Sequence, residues 1–113
     1  MDHAAIDGRE TVEAVAGVHL TQLAVGERTS VQAFRMDPGS VVEAHDHPHE
    51  QAGFLYQGAL TFTLENGSER VVSAGEAFVF TGGEVHAAEN RGDEPVLGVD
   101  VFSPARPNPD WGD

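Results

Sequence analysis

The stretch EAHDHPHEQAGFLYQG, residues 43–58, holds three of the six histidines of this chain within five residues. They are His45, His47 and His49. Successive side chains of a β-strand point to opposite faces, so His45 and His47 would share a face of one strand. A turn at Pro48 would then bring Gln51 back beside them. The stretch therefore predicts a strand, a turn and a second strand, with polar side chains gathered where the chain folds back.

Short alternating segments separated by turns continue on both sides of this stretch. Asn66-Gly67, between two alternating segments, is a strong signal for a two-residue hairpin. The segments expected to be strands are 18–25, 29–36, 41–45, 52–57, 59–65, 68–73, 77–80, 85–90 and 96–102. Many short strands with frequent turns and no convincing amphipathic helix predict an all-β fold, a single antiparallel jelly-roll β-barrel.

The length of 113 residues is that of one domain. We expect a barrel over residues 17–103. Residues 1–16 are polar and alanine-rich, and we expect them to form a loose arm or an edge strand. Residues 104–113 contain three prolines and should lie extended over the surface or across an opening.

The charge of the chain is strongly unbalanced. Nineteen acidic residues against six basic ones give a formal net charge of -13, and every basic residue is an arginine. Such a surface repels nucleic acid and anionic membranes, so neither is an expected partner. At roughly 1 M salt the Debye length falls to about 3 Å and self-repulsion is screened. The charge favours a halophilic protein. The alternative is an acidic mesophilic protein from a GC-rich genome. Thermal denaturation in low and in high KCl would distinguish the two.

The absence of cysteine excludes disulfides, thiolate ligands and a cysteine nucleophile. The first residues lack the basic and apolar regions of a signal peptide, and no apolar run approaches the length of a membrane span. We therefore expect a cytoplasmic location.

A fourth histidine extends the cluster. His86 lies on a later predicted strand, just after a glycine-rich turn. Imidazoles from two strands that converge on one interior point would bind a borderline divalent cation, and the amide oxygen of Gln51 would complete three nitrogens with one oxygen. From the His-x-His pair alone, a solvated histidine-rich loop is an equally good interpretation.

The spacing of these residues resembles the two motifs of the cupins, small jelly-roll barrels that bind one metal inside. The first cupin motif is matched by Gly39, His45, His47, Gln51 and Gly58, and the second by Gly75, Gly83, His86 and Asn90. Gln51 stands where the family has glutamate, and Thr81 stands where it has proline.

The resemblance implies that His45, His47, Gln51 and His86 hold one divalent transition metal: Ni, Mn, Fe or Zn. A neutral Gln51 leaves the site more positive than a glutamate would, which makes the metal a stronger Lewis acid toward an anionic substrate. Glu50 is a competing oxygen ligand. His49 is expected near the metal ligands or at the mouth of the barrel.

The segment DVFSPARP near the C-terminus carries a second group of candidate residues. Asp100 and Phe102 share strand parity, and Arg106 follows the Ser103-Pro104 break and could reach back over the opening. They could move protons, stack on a sugar ring and clamp a carboxylate, respectively. On spacing alone, a turn cap, a core residue and a solvated tail residue are the simpler interpretation.

Together with the first motif, this tail resembles the KdgF-type cupins of pectin degradation. That resemblance implies ring opening and ketonisation of a 4,5-unsaturated uronate, with Asp100, Phe102 and Arg106 as the essential residues, and a homodimer. Two alternatives stay open. One is an Fe- or Ni-dependent dioxygenase on a small enolic substrate. Its pocket could be lined by aromatic residues, unless most of them belong to the core: Phe54, Tyr56, Phe62, Phe78 and Phe80. The other is a non-catalytic metal- or sugar-binding module.

Overall fold

The computed structural model describes residues 1–106, and this part of the chain is built almost entirely of β-strands. Within that range a short 3₁₀ turn, Ile6–Gly8, precedes ten strands. The strands are β1 (Thr11–Val15), β2 (Val18–Val25), β3 (Ser30–Met36), β4 (Val41–His45), β5 (Glu50–Gln57), β6 (Ala59–Leu64), β7 (Glu69–Ser73), β8 (Ala77–Phe80), β9 (His86–Glu89) and β10 (Val96–Ser103). No helix among residues 1–106 is long and apolar enough to cross a membrane.

Two antiparallel sheets make up the described part of the molecule. Six strands form one sheet in the order β1-β2-β3-β10-β5-β8, and four form the other in the order β4-β9-β6-β7. The predicted all-β jelly-roll fold is confirmed. The nine strands expected from alternation differ from the observed bounds by at most two residues at either end.

The N-terminal residues contribute an edge strand to the larger sheet. β1 pairs with β2, and the hydroxyls of Thr11 and Thr21 lie 2.7 Å apart across the pair. The backbone N–H of Val25 donates to the carboxylate of Asp2 at 2.8 Å, which ties the chain before β1 to the same sheet. At the other terminus, most of the tail whose course we predicted, 104–113, lies outside the described residues.

The core lies between the two sheets and is organised by β10, which runs between β3 and β5. Alternate residues of β10 are buried: Val96, Gly98, Asp100 and Phe102. A Cβ at Gly98 would collide with the ring of Phe34, so the glycine leaves the space which that ring fills. The buried apolar cluster consists of Val18, Phe34, Met36, Leu55, Leu60, Phe62, Phe80, Ala88 and Val96.

Strand register divides the inner face of the larger sheet into two ends. The apolar end comprises two rows of paired residues: Val18, Met36 and Val96, then Leu20, Phe34, Gly98 and Leu55. The polar end comprises the next two rows: Gln32 with Asp100, then Ser30, Phe102 and Gln51. Because side chains alternate, a single inner face carries both ends along the same strands.

Asn90, the last residue of the second motif, has a structural role and is not a site residue. Its side chain is fully buried, and its Nδ2 donates to the backbone carbonyls of Met36 and Glu94, both at 2.9 Å. Its Oδ1 accepts from the N–H of Gly92 at 3.0 Å. One amide therefore satisfies three backbone groups and ties the end of β9 to β3.

Candidate metal centre

Three imidazoles converge at the polar end of the barrel. One ligand atom from each of His45, His47 and His86 lies within 4.8 Å of the other two. The centroids of the His45 and His86 rings are 4.6 Å apart, and those of His47 and His86 are 5.5 Å apart. The pairing of β4 with β9 sets His45 directly opposite His86, so two strands of the smaller sheet deliver two of the three rings.

A backbone hydrogen bond fixes the orientation of each ring. Nδ1 of His45, His47 and His86 lies 2.9 Å from the carbonyl oxygen of Glu43, His49 and Glu84, respectively. A carbonyl only accepts, so each Nδ1 carries the hydrogen and each Nε2 carries the lone pair. Three Nε2 lone pairs are thereby presented to one point, in the way that backbone carbonyls orient metal-ligating histidines.

The route by which His47 reaches the cluster differs from the sequence-based prediction. β4 ends at His45, so His47 lies in the connection to β5 and does not share a strand with His45. A second loop holds this connection: the N–H of Gly83 donates to the His47 carbonyl at 2.8 Å. A Cβ at Gly82 would approach the Pro48 carbonyl oxygen to 2.5 Å, so the two loops fit together only around a glycine.

Gln51 lies between the imidazoles and a buried carboxyl. Its Oε1 is 3.1 Å from Nε2 of His47, and its amide favours the charged form of Asp100, as an N–H donor does. An Oε1 that faces an Nε2 lone pair gains no hydrogen bond, whereas a cation placed between them would satisfy both. Glu50, the competing oxygen ligand, is exposed, and its neighbouring position directs its side chain to the opposite face.

The donor set fits a divalent transition metal held by His45, His47, Gln51 and His86. Burial lowers the pKa of His86, and the nearby rings of His45 and His47 act in the same direction, against the carbonyl of Glu84. A low pKa keeps the imidazole neutral, which is the form that binds metals. The ring of Phe80 stacks on His86 at 3.9 Å and 4°, which packs this ligand rigidly against the core.

Asp100 is buried beside the cluster. Its burial raises the pKa of the carboxyl to about 7, against the amides of Gln51 and Gln32 and the positive charge of Arg106. Its Oδ1 has no hydrogen-bond partner within residues 1–106. The structure brings this predicted site residue into the cavity and does not use it as a turn cap.

Phe102 and Arg106 complete the same end of the cavity. Phe102 is buried, its ring centroid is 5.7 Å from that of His47, and the guanidinium carbon of Arg106 lies 5.2 Å from the Phe102 ring centroid. The backbone N–H of Arg106 donates to Oγ of the buried Ser30 at 2.8 Å, which brings the start of the tail back over the sheet. Sequence reasoning missed Ser30, because nothing local marks one serine as the anchor of a segment 76 residues away.

His49 lies at the edge of this group. Its ring centroid is 5.8 Å from that of His47 and 6.1 Å from that of Phe102. Burial lowers the pKa of His49, and the nearby charge of Arg106 and the ring of His47 act in the same direction. The carbonyl of His49 orients the ring of His47, so His49 supports the imidazole cluster through its backbone.

The lumen, as we call the cavity between the sheets, has a volume of about 210 Å³. Its lining includes the apolar residues Val18, Leu20, Phe34, Met36, Val42, Leu60, Phe62, Phe78 and Ala88, and the site residues His45, Gln51, His86, Asp100, Phe102 and Arg106. Gln32 also lines it, and sequence reasoning missed this residue, because an isolated glutamine on a strand carries no signal.

Two aromatic residues considered for a pocket lie elsewhere. Phe54 and Tyr56 are exposed on the outer face, since Leu55 between them points into the core. Arg35 on β3 also points outward and forms an ion pair with Asp37 at 3.2 Å. In each case, the alternation of side chains along the strand that carries the residue places it on the outer face.

The chain is similar in sequence and in structure to known proteins. Residues 32–102 match the family model described as Cupin domain. The chain is 30% identical to the tetracenomycin polyketide synthase protein TcmJ of Streptomyces glaucescens, over 94% of this chain and 83% of that protein.

Solved structures show the same fold. KdgF from Halomonas sp. superposes with a TM-score of 0.84 at 28% identity, over 94% of this chain and 96% of that one. The polyketide cyclase RemF from Streptomyces resistomycificus superposes with a TM-score of 0.80 at 18% identity, over 96% of this chain and 82% of that one. With a family match over more than half of its length, the chain belongs to the cupins, and its resemblance to KdgF runs over nearly its whole length.

Proposed function

We propose that this cupin opens the ring of a 4,5-unsaturated uronate and converts the product to its linear keto form. The observation that carries the proposal is the convergence of a buried carboxyl, a phenyl ring and a guanidinium beside the imidazole cluster: Asp100, Phe102 and Arg106. The resemblance to KdgF over nearly the whole chain supports the same reaction.

The proposed reaction is an isomerisation, in which no atom is gained or lost. The C1–O5 bond of the cyclic hemiacetal breaks, and the hydrogen of the C1 hydroxyl moves, in net terms, to O5. This step gives an aldehyde at C1 and an enol at C5. The enol hydrogen is then lost from O5 while C4 gains a proton, so that C5 becomes a ketone. Both steps are proton transfers, and neither needs a redox partner.

Asp100 is the residue that we assign to proton transfer. A carboxyl both accepts and donates a proton, and Asp100 lines the lumen that a ligand would enter. A divalent metal held by His45, His47, Gln51 and His86 would supply Lewis-acid polarisation of the substrate oxygens. Gln51 contacts both groups, so it would hold the carboxyl in a fixed position relative to the imidazoles.

Arg106 and Phe102 would bind and orient the substrate. A guanidinium pairs with a carboxylate through two parallel hydrogen bonds, which suits the C6 carboxylate of a uronate. The Phe102 ring lies under the guanidinium at 5.2 Å, and cation–π attraction favours this arrangement. The two residues thus present a charged contact and a flat apolar surface at the same end of the lumen.

Proton NMR provides the test. Protein loaded with Ni or Mn is mixed with a 4,5-unsaturated uronate freshly made by a lyase, and the vinyl proton signal is followed over time. We expect decay faster than in buffer, and a loss of roughly a hundredfold or more in Asp100→Asn. Both proteins must carry the same metal content. Decay at the spontaneous rate with the wild-type protein would refute the proposed substrate.

A second candidate substrate is an enolisable polycarbonyl compound of the polyketide type. Two observations favour it: the 30% identity to TcmJ, and the apolar residues, such as Phe34, Met36 and Phe62, that line much of the lumen. Such a substrate would need the same proton transfers but no carboxylate clamp. Arg106→Ala separates the candidates, because it should lower turnover of a uronate and leave that of an uncharged polycarbonyl compound unchanged.

A further inference from the structure

Two residues that line the lumen each carry a buried acceptor oxygen without a hydrogen-bond partner in the described part of the chain. These oxygens are Oε1 of Gln32 and Oδ1 of Asp100. The two residues are only 4% and 6% exposed, and both line the lumen. Buried acceptors of this kind are uncommon in folded proteins, since each normally finds a donor. Their occurrence side by side in a binding cavity calls for a donor that arrives with the ligand.

Strand register places the two side chains next to each other. Gln32 on β3 is the direct partner of Asp100 on β10, so both project from one row of the inner face. The Gln32 side chain lies close enough to the Asp100 carboxyl to lower the pKa of that carboxyl, as a nearby N–H donor does.

One internal donor competes for Gln32. Gln22 on β2 is the register partner of Gln32 on the other side, and its Nε2 is also buried without a partner in residues 1–106. The structure does not join the two amides, and Gln22 is not among the lumen-lining residues. Gln22 therefore provides a matched control: the same residue type in the same row, but away from the cavity.

We propose that the side chains of Gln32 and Asp100 accept hydrogen bonds from hydroxyl groups of the substrate, which makes Gln32 a residue that selects a polyhydroxylated ligand. The identity of that ligand as a uronate rests on the proposed function. A ligand hydroxyl can donate to the amide or carboxyl oxygen, whereas a deoxygenated carbon has no donor and leaves these acceptors unpaired. Sites built to bind a hydroxyl reject analogues that lack it.

The test compares the 4,5-unsaturated uronate with its 2-deoxy and 3-deoxy analogues in three proteins: wild type, Gln32→Met and Gln22→Met. For the wild type we expect kcat/KM to fall roughly tenfold or more for at least one analogue. For Gln32→Met we expect a similar loss on the parent compound and a parent-to-analogue ratio near one. Gln22→Met should keep the wild-type ratio. Thermal melts establish that each protein is folded, and Gln32→Asn, which keeps the amide but shortens the side chain, replaces Gln32→Met if that variant does not fold.

A binding measurement separates this inference from the proposed reaction. Ligand-observed NMR with saturated galacturonate and its deoxy analogues reports on Gln32 even if the wild type turns over no unsaturated uronate. Weaker galacturonate binding by Gln32→Met, but not by Gln22→Met, would support the inference in that case. An unchanged ratio in Gln32→Met, an equal change in Gln22→Met, or no binding of any of these sugars to the wild type would overturn it.

Discussion

The two ends of the larger sheet use the same strands for different purposes. At the apolar end, Leu55 and Val96 are fully buried and their neighbours are hydrocarbon. At the polar end, four residues later on β10, Asp100 is almost as buried, yet one of its oxygens has no partner among residues 1–106. Burying apolar area stabilises a fold, whereas burying an unpaired polar atom destabilises it. The difference indicates that the apolar end stabilises the barrel and the polar end is maintained for binding.

A second contrast lies in how the two ends are held in place. Direct packing fixes the apolar end, because the rings and branched side chains of its buried cluster contact one another. Hydrogen bonds from the backbone fix the polar end: three carbonyls orient the three imidazoles. Damage to the first should therefore appear in the free energy of unfolding, and damage to the second in ligand and metal affinity.

The largest effect is expected at the centre of the apolar end. Leu55→Ala removes a side chain with 0% exposure, and we expect the free energy of unfolding to fall by about 4 kcal/mol. Urea denaturation measures this loss, and the exposed neighbour provides the control, since Tyr56→Ala should change stability by less than about 1 kcal/mol. The folded fraction of Leu55→Ala should still bind metal; a folded variant that had lost its metal would contradict the separation of the two ends.

Asn90→Ala tests the hydrogen bonds by which the Asn90 side chain ties the end of β9 to β3. The change leaves two carbonyls and one N–H in a buried region without the hydrogen bonds of this amide, and we expect a loss of about 3 kcal/mol in the free energy of unfolding. Urea denaturation again measures it. Asn66→Ala, in the exposed hairpin turn, is the matched control with a much smaller expected loss. Equal losses in both variants would mean that the buried amide has no special role.

His86→Ala tests the polar end directly. Removing one of three imidazoles should lower metal affinity roughly a hundredfold, equivalent to about 2.7 kcal/mol. Elemental analysis after dialysis against a fixed low concentration of Ni or Mn measures occupancy. His19→Ala is the control, because His19 lies on the outer face and bonds to Asp37 at 2.9 Å. One metal per chain in both variants would exclude His86 as a ligand.

The smallest effect is expected at the contact between Gly82 and the Pro48 carbonyl, where two loops pack beside the candidate metal ligands. Gly82→Ala would push against the Pro48 carbonyl and shift the connection that carries His47, so we expect metal affinity to fall roughly tenfold. Gly8→Ala is the control, because a Cβ there meets nothing within 4 Å. Calorimetric titration with metal compares the variants, and equal affinities would show that the two loops adjust without moving His47.

Local patterns in the sequence predicted the strands and identified the residues of the histidine cluster. Alternation and turn residues predicted nine strands within two residues of their bounds, because both signals are local. Motif spacing selected His45, His47, Gln51 and His86 as candidate ligands. The resemblance of the C-terminal segment to the KdgF-type cupins singled out Asp100, Phe102 and Arg106, which the structure brings to one end of the lumen. Their assignment as metal ligands and catalytic residues stays a prediction.

The way in which these residues come together depends on contacts that exist only in the folded chain. His47 reaches the cluster from a loop, Ser30 holds the start of the tail, and Asn90 ties two strands together. Gln32 became a candidate only when strand register set it beside Asp100. Each of these facts is a contact between segments distant in sequence, and no local pattern encodes such a contact. The packing of the two sheets creates the candidate site, because it brings the two polar rows of the larger sheet beside the imidazoles of the smaller one.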